Sequence, residues 1–252
     1  MIGRRGLFAN HTRPMTKQQT KSKQRVADHG EVFTAEREVK AMLDLVKQET
    51  ERIESRFLEP ACGDGNFLDE ILRRKLAVVK SRYGKNAADY ERYAVIAVTS
   101  IYGVDILQDN VDDCRERMFG IFDREYTANC KEEVNDETRE TVRYILRHNI
   151  LCGDALEMVL TIDGKSKLTP DNETVYLEFA EWSAVNSYLL KRRDFQLGHM
   201  LKANEKNLQR DFFGEVGFYE RDETGAMILQ PVREFEAIHY KEIMNAKEVG
   251  RR

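Results

Sequence analysis

The twelve residues Phe57-Leu58-Glu59-Pro60-Ala61-Cys62-Gly63-Asp64-Gly65-Asn66-Phe67-Leu68 constrain this chain more than any others. A short apolar piece ends in an acid, a turn with two glycines follows, and then an amphipathic run begins. In that run Phe67, Leu68, Ile71, Leu72 and Leu76 recur at helical spacing. The segment therefore reads as strand, tight turn, helix. Gly63 and Gly65 accept positive φ and leave the turn bare of side chains, so that a ligand can approach the backbone. The start of the following helix offers unpaired N–H groups. The third glycine of a dinucleotide fingerprint is absent, and so is the Gly-Lys-Ser/Thr ending of a phosphate-binding P-loop.

The flanking pattern extends this unit. A helix is expected from an N-cap at Thr34, with Glu36 and Glu38 in its first turn and Val39, Met42, Leu43 and Val46 on its inner face. Strands are expected at Arg56–Glu59, Ile101–Ile106 and Asn149–Cys152. Between them lie a helix over Ala87–Thr99, one with Val111, Cys114, Met118 and Phe122 inward, and one carrying Val142, Ile145 and Leu146. Alternating strands and helices predict a parallel sheet with helices on its faces. Beyond Thr161 the pattern changes. Asp163-Gly164 and Pro170-Asp171-Asn172 read as turns, Thr174–Trp182 as strongly β-prone, and Leu189–Asn207 as mostly helical. Residues 216–221 and 226–232, around Asp222-Glu223-Thr224-Gly225, predict an antiparallel hairpin at the sheet edge.

Composition narrows the function classes. With 41% hydrophobic residues a core can form, and no apolar run approaches the length of a membrane span. The four cysteines form no CxxC pair and have no histidine at metal spacing, so no metal site is expected. Seven basic residues precede the first acid, Asp28, so the remainder carries −11 against an overall charge of −4. A whole-surface footprint for nucleic acid is thereby excluded. Residues 1–27 read as a disordered basic tail without an apolar signal core, and 28–252 as one domain of a cytoplasmic protein. Lys191-Arg192-Arg193 reads as a solvated helix face, with phosphate contact as the alternative.

The Glu59–Leu68 segment resembles motif I of the amino-group DNA methyltransferases, Asp/Glu-Pro-Ala-Cys-Gly-Ser-Gly with an aromatic residue close behind; Asp64 stands where Ser is commoner. Three further segments follow the family's order. His29-Gly30-Glu31-Val32-Phe33-Thr34 resembles motif X, with Ala35 where Pro is usual. Tyr102-Gly103-Val104-Asp105-Ile106 resembles motif II, and Asn149-Ile150-Leu151-Cys152-Gly153-Asp154-Ala155-Leu156 resembles motif III. Together they cover residues 29–156. The resemblance implies a Rossmann-like, doubly wound, mostly parallel sheet of the class I methyltransferase type with an antiparallel edge hairpin. It implies S-adenosylmethionine as cofactor, held by Phe33, Thr34, Glu59, Pro60, Ala61, Cys62, Gly63, Gly65, Phe67, Asp105, Ile106, Asp154 and Ala155. Within that set, Thr34 would meet the methionine carboxylate, Asp105 the ribose hydroxyls and Asp154 the adenine amino group, with Ala155 beside the ring.

The resemblance breaks at motif IV, Asn/Asp/Ser-Pro-Pro-Tyr/Phe, which in the family accepts the target amino hydrogens and stacks on the flipped base. The four prolines, Pro14, Pro60, Pro170 and Pro231, include no adjacent pair. The expected strand Val175–Phe179 runs instead into Ala180-Glu181-Trp182-Ser183, where Glu181 and Trp182 are weak catalytic candidates and Trp182 also reads as a core plug. Only about 70 residues follow Trp182, too few for the usual target-recognition domain. The leading expectation is a DNA adenine-N6 methyltransferase of a restriction-modification system, with DNA as partner. A catalytically inactive cofactor-binding subunit acting with a partner chain, and a methyltransferase on RNA or protein, remain open.

Overall fold

The computed structural model describes residues 21–29, 31–162, 164–186, 188–196, 219–221 and 227–250. In chain order the elements are α1 (Lys23–His29), α2 (Glu36–Asp44), α3 (Lys47–Thr50), β1 (Phe57–Glu59), α4 (Asn66–Tyr83), α5 (Ala87–Thr99), β2 (Ile101–Asp105), α6 (Gln108–Cys130), α7 (Asp136–Asn149) and β3 (Ile150–Asp154). The chain continues through β4 (Val159–Ile162), β5 (Lys165–Ser166), β6 (Glu178–Ala184), β7 (Leu189–Gln196), β8 (Tyr219–Arg221), β9 (Met227–Leu229), β10 (Arg233–Glu234) and β11 (Ile238–His239), and a 3-10 turn follows at Tyr240–Asn245.

This is a mixed α/β structure. Its main sheet has the order β1-β2-β3-β4-β5, with β1, β2 and β3 parallel and β4 and β5 antiparallel additions. Right-handed crossovers running in one direction place their helices on one face. Accordingly α4 to α7 pack on one another, Leu68 of α4 lies over Gly103, and Phe57 faces Lys75 of α4. Local chemistry sets the helix starts: Asn86 accepts from the Asp89 N–H and Asn135 from the Thr138 N–H. On the opposite face Phe179 meets Tyr102, and Leu177 fills the space above Gly153. Extended chain, not a second helical layer, thus covers this face of β2 and β3 among the described residues. Among the described residues, the helices expected on both faces of a doubly wound sheet are seen on one face only.

A second, antiparallel sheet is built on β7, which pairs with β6, β10 and β11. Its Phe179, Ala180, Trp182 and Leu190 join the same apolar cluster as Leu68, Val104 and Ile145, so the two sheets share one core.

Several expectations are corrected here. Ala35, not Thr34, is the N-cap of α2 and makes no side-chain cap bond; α2 stops at Asp44, before Val46, and both Met42 within it and Val46 beyond it are exposed. Residues 189–196 form strand β7 rather than helix, while 197–207 lie outside the described residues. The hairpin β8–β9 exists, with Tyr219 opposite Leu229, but it forms its own two-stranded ladder; the antiparallel edge of the main sheet is β4–β5. Residues 1–20 of the expected tail lie outside the described residues, whereas 21–27 are not loose: α1 begins at Lys23 and Arg25 is anchored to α6.

Candidate functional site

The C-terminal ends of the three parallel strands carry the candidate site, as open α/β sheets favour. The turn after β1 folds over the end of β2: the Cys62 N–H donates to the Val104 carbonyl at 2.9 Å, and the Gly63 N–H to Asp105 Oδ2 at 3.0 Å. Gly63 and Gly65 have φ of +53° and +94°, the left-handed region that favours glycine. Their missing side chains also make room for packing. A Cβ on Gly63 would lie 3.0 Å from the Phe33 ring, and one on Gly65 only 2.8 Å from Cys114 Sγ. The glycines therefore let the N-terminal segment and α6 close on the turn, besides keeping its outer surface bare.

Three acids end up at this rim. Glu59 closes β1 and accepts from the Ala61 N–H at 3.4 Å. Asp105 ends β2 and Asp154 ends β3. Both aspartates use Oδ1 locally: Asp105 Oδ1 accepts from the Leu107 N–H at 2.9 Å, and Asp154 Oδ1 from the Leu156 and Glu157 N–H groups at 2.8 and 3.2 Å. Such Asx turns fix a carboxylate relative to its backbone. Oδ2 of Asp154 has no hydrogen-bond partner among the described residues, and Oδ2 of Asp105 has only Gly63. Acceptor capacity is thus left facing the rim.

The remaining expected residues gather around these acids. Phe33 is buried against Gly63, and the Thr34 carbonyl accepts from Asn66 Nδ2 at 3.1 Å. Cys62 is buried, and its contact with Cys114 together with burial pushes its thiol up, so it stays protonated. The Ile106 carbonyl accepts from Thr161 Oγ1 and Cys152 Sγ. Phe67 and Ala155 are half-buried against the core, whereas Pro60 and Ala61 are exposed on the turn.

Glu181 and Trp182 are not part of this rim. Glu181 pairs with Arg56, which precedes β1, and with Arg193 on β7. Trp182 is 6% exposed and donates its indole N–H to Asn149 Oδ1 at 2.7 Å, beside Tyr144 and His148 of α7. Both therefore sit at the N-terminal end of the strands, and Trp182 plugs the core. The Lys191-Arg192-Arg193 run is likewise neither a helix face nor a free basic patch. Lys191 pairs with Glu234, Arg193 with Glu181, and Arg192 lies buried in a bidentate pair with Asp194.

Sequence reasoning missed the groups that brace the rim. Arg117 of α6 pairs with Asp64 at 2.9 Å and with Asp69, donates to the Asp64 carbonyl at 2.5 Å, and reaches Asn66 Oδ1. An acid at position 64 is thereby matched by a cation from a distant helix, a pairing with no local sequence signal. Glu31 and Asn110 are buried beside Asp105, and Arg25 reaches both. Burial pushes the Glu31 carboxyl up, but its bonds to Arg25 and Asn110 outweigh this and hold it low. Arg25 and Lys21 hold Asp109 down at about 2. Among the described residues no three metal-ligating side chains cluster, and no helix is long and apolar enough to cross a membrane.

No family model matches the chain, and no solved structure matches it either. In sequence it is similar to DNA methyltransferase A of Bacillus subtilis (strain 168), with 26% identity over 110 residues. That stretch is 42% of this chain and 12% of the relative, so the chain spans a small part of that protein's length and the relationship is distant.

Proposed function

We propose that this chain is the cofactor-binding portion of an S-adenosylmethionine-dependent DNA methyltransferase of the adenine-N6, restriction-modification type, on a Rossmann-like class I fold. The observation that carries the reading is the convergence of Glu59, the Cys62–Gly65 turn, Asp105 and Asp154 at one end of three parallel strands. The donor set fits the cofactor. Asp105 Oδ2 would accept a ribose hydroxyl, Asp154 Oδ2 the adenine amino group, and Phe33 and Thr34 would border the methionine end. The bound cofactor supplies an electrophilic methyl group; the chain's residues bind and orient it.

A second reading, a subunit that binds the cofactor but does not transfer the methyl group alone, is favoured by a specific observation. Glu181 and Trp182 lie at the far end of the strands, and no Asn-Pro-Pro-Tyr segment stands in for them. Positioning of the target nitrogen supplies much of the rate in such a transfer. A partner chain, or further chain, would have to bring that pocket together with DNA recognition. Methylation of RNA or protein would need the same missing pocket, so nothing in the rim selects between these substrates.

Calorimetry with S-adenosylmethionine and S-adenosylhomocysteine tests the reading. The wild-type chain should bind both. Asp105→Ala should bind at least about tenfold more weakly, from loss of a charge-assisted hydrogen bond of roughly 1.5–3 kcal/mol. Labelled-methyl transfer to genomic DNA should be absent for the isolated chain. Folded protein that binds neither ligand would refute the proposal, and robust transfer by the chain alone would refute the second reading.

A further inference from the structure

The cofactor reading needs Asp105 to present one oxygen outward, and the structure shows what holds the other. Asp105 Oδ1 already accepts from the Leu107 N–H, and Asn110 Nδ2 donates to the same oxygen at 3.1 Å. The other Nδ2 hydrogen is aimed at Glu31 Oε1, 2.7 Å away, and Asn110 Oδ1 accepts from Arg25 Nη2 at 3.1 Å. Every polar atom of this 1%-exposed amide is therefore engaged, which fixes which end of it faces Asp105. Arg25 in turn grips Glu31 through two bonds of 2.7 Å, from Nε and Nη2, and reaches Asp109 Oδ2 at 2.5 Å. Asp105, Asp109 and Glu31 would repel one another here; the guanidinium, the shared amide and Lys21 on Asp109 let three acids coexist. Asp154, the matching aspartate on β3, has backbone partners only among the described residues.

We propose that Asn110 is the positioning residue of Asp105: seated by Glu31 and Arg25, it saturates Oδ1 so that Oδ2 alone is offered to a ribose hydroxyl. The inference rests on the cofactor reading for its ligand but not for its geometry. Arg25 and Glu31 are then part of the site, although they need not touch the ligand.

Two measurements on the full chain decide it. Without ligand, amide hydrogen exchange at Gly63 and Leu107, the two backbone donors to Asp105, should quicken in Asn110→Ala, with exchange in the α5 core unchanged. With ligand, S-adenosylhomocysteine and its 2′-deoxy analogue are compared by calorimetry. Wild type should favour the hydroxyl-bearing ligand about tenfold, the worth of one charge-assisted hydrogen bond. In Asn110→Ala the affinity for S-adenosylhomocysteine should drop toward that of the analogue, whereas general loosening of the fold would weaken both ligands alike. Arg25→Met, at a partly exposed residue outside the core, should show the same selective loss at smaller amplitude and serves if Asn110→Ala melts too low to assay. Unchanged exchange at both amides, or equal weakening of both ligands, would overturn the assignment. Wild-type protein that binds neither ligand would refute the cofactor reading, while the exchange result would still decide whether Asn110 positions Asp105.

Discussion

The two ends of the β1–β3 strands are both polar, yet they differ in what remains to be bonded. At the C-terminal end Asp154 is fixed through Oδ1 alone and Asp105 through Oδ1 and the Gly63 N–H, and both keep acceptor capacity on Oδ2. At the N-terminal end the groups among the described residues bond or pair with one another, Glu181 Oε2 through its ion pair with Arg193 alone. Lys75 Nζ, fully buried, donates to the Ile53 and Ser55 carbonyls and to Ser100 Oγ. Asn149 Nδ2 donates to the Val98, Thr99 and Ile101 carbonyls at 3.0–3.4 Å, while its Oδ1 accepts from Trp182. A cluster whose polar groups satisfy one another is a cross-brace between elements. A cluster anchored on one side and open on the other can serve a ligand. That distinction moves Glu181 and Trp182 from candidate site to scaffold.

The largest effect that would break this comparison belongs to Trp182. Trp182→Ala empties a core position and leaves Asn149 Oδ1 without its donor, so unfolding should become easier by about 3–5 kcal/mol. Affinity of the remaining folded protein for S-adenosylhomocysteine should not change. Chemical denaturation and calorimetry on one preparation measure both. A variant with near wild-type stability and lost binding would return Trp182 to the site.

The braced end also explains which parts of the chain were legible in its sequence. From Phe57 to Asp154 apolar periodicity agrees with the fold: helix Ala87–Thr99 runs as expected, and Val111, Cys114, Met118 and Phe122 are all buried on α6. The glycine turn was readable because its backbone demands leave few alternatives. Strand β7 was not, because its buried face is Leu190, Arg192 and Asp194. Two charges that neutralise each other beneath Phe235 and Tyr144 look like surface in a sequence pattern. Asn110 and Arg117 escaped notice for a related reason: their partners Glu31 and Asp64 lie more than fifty residues away.

The second prediction uses Lys75. Burial pushes its ammonium down to about 7, below the usual lysine value. Between that pH and the unfolded value near 10.4 the unfolded chain binds more protons, so stability rises with pH. The gain should approach about 1.4 kcal/mol per pH unit toward pH 8. Above that range it should reverse, because burial raises the Cys130 thiol to about 11 and the Tyr90 phenol further, so the folded chain then holds the extra protons. Urea midpoints at stepped pH should show this rise, and Lys75→Met should flatten it. A wild-type curve flat from pH 7 to 8 would mean that the three acceptors keep the ammonium charged throughout.

The smallest effect concerns the segment that ties the N-terminus to the open end. A chain starting at Lys21 retains the pairs of Lys21 with Asp109 and Asp113 and of Arg25 with Glu31 and Asp109; a chain starting at Asp28 loses them all. Exposed pairs contribute little, and Asp109 and Asp113 are about half-exposed. The Arg25–Glu31 contact is different, because Glu31 is buried and would keep only the Asn110 amide as a partner. The longer chain should therefore melt only a few degrees higher, as expected for a difference of about 1 kcal/mol in a domain of this size. Asp109 titrates at about 2 and Glu31 below its usual value, so the difference should persist at neutral pH and vanish as pH falls through that range. If the shorter chain melts at the same temperature at neutral pH, Glu31 has found another partner and the segment is not a brace. If it fails to fold at all, the brace belongs with Lys75 and Trp182 at the closed end, and the distinction between the two ends of the sheet loses its sharpest support.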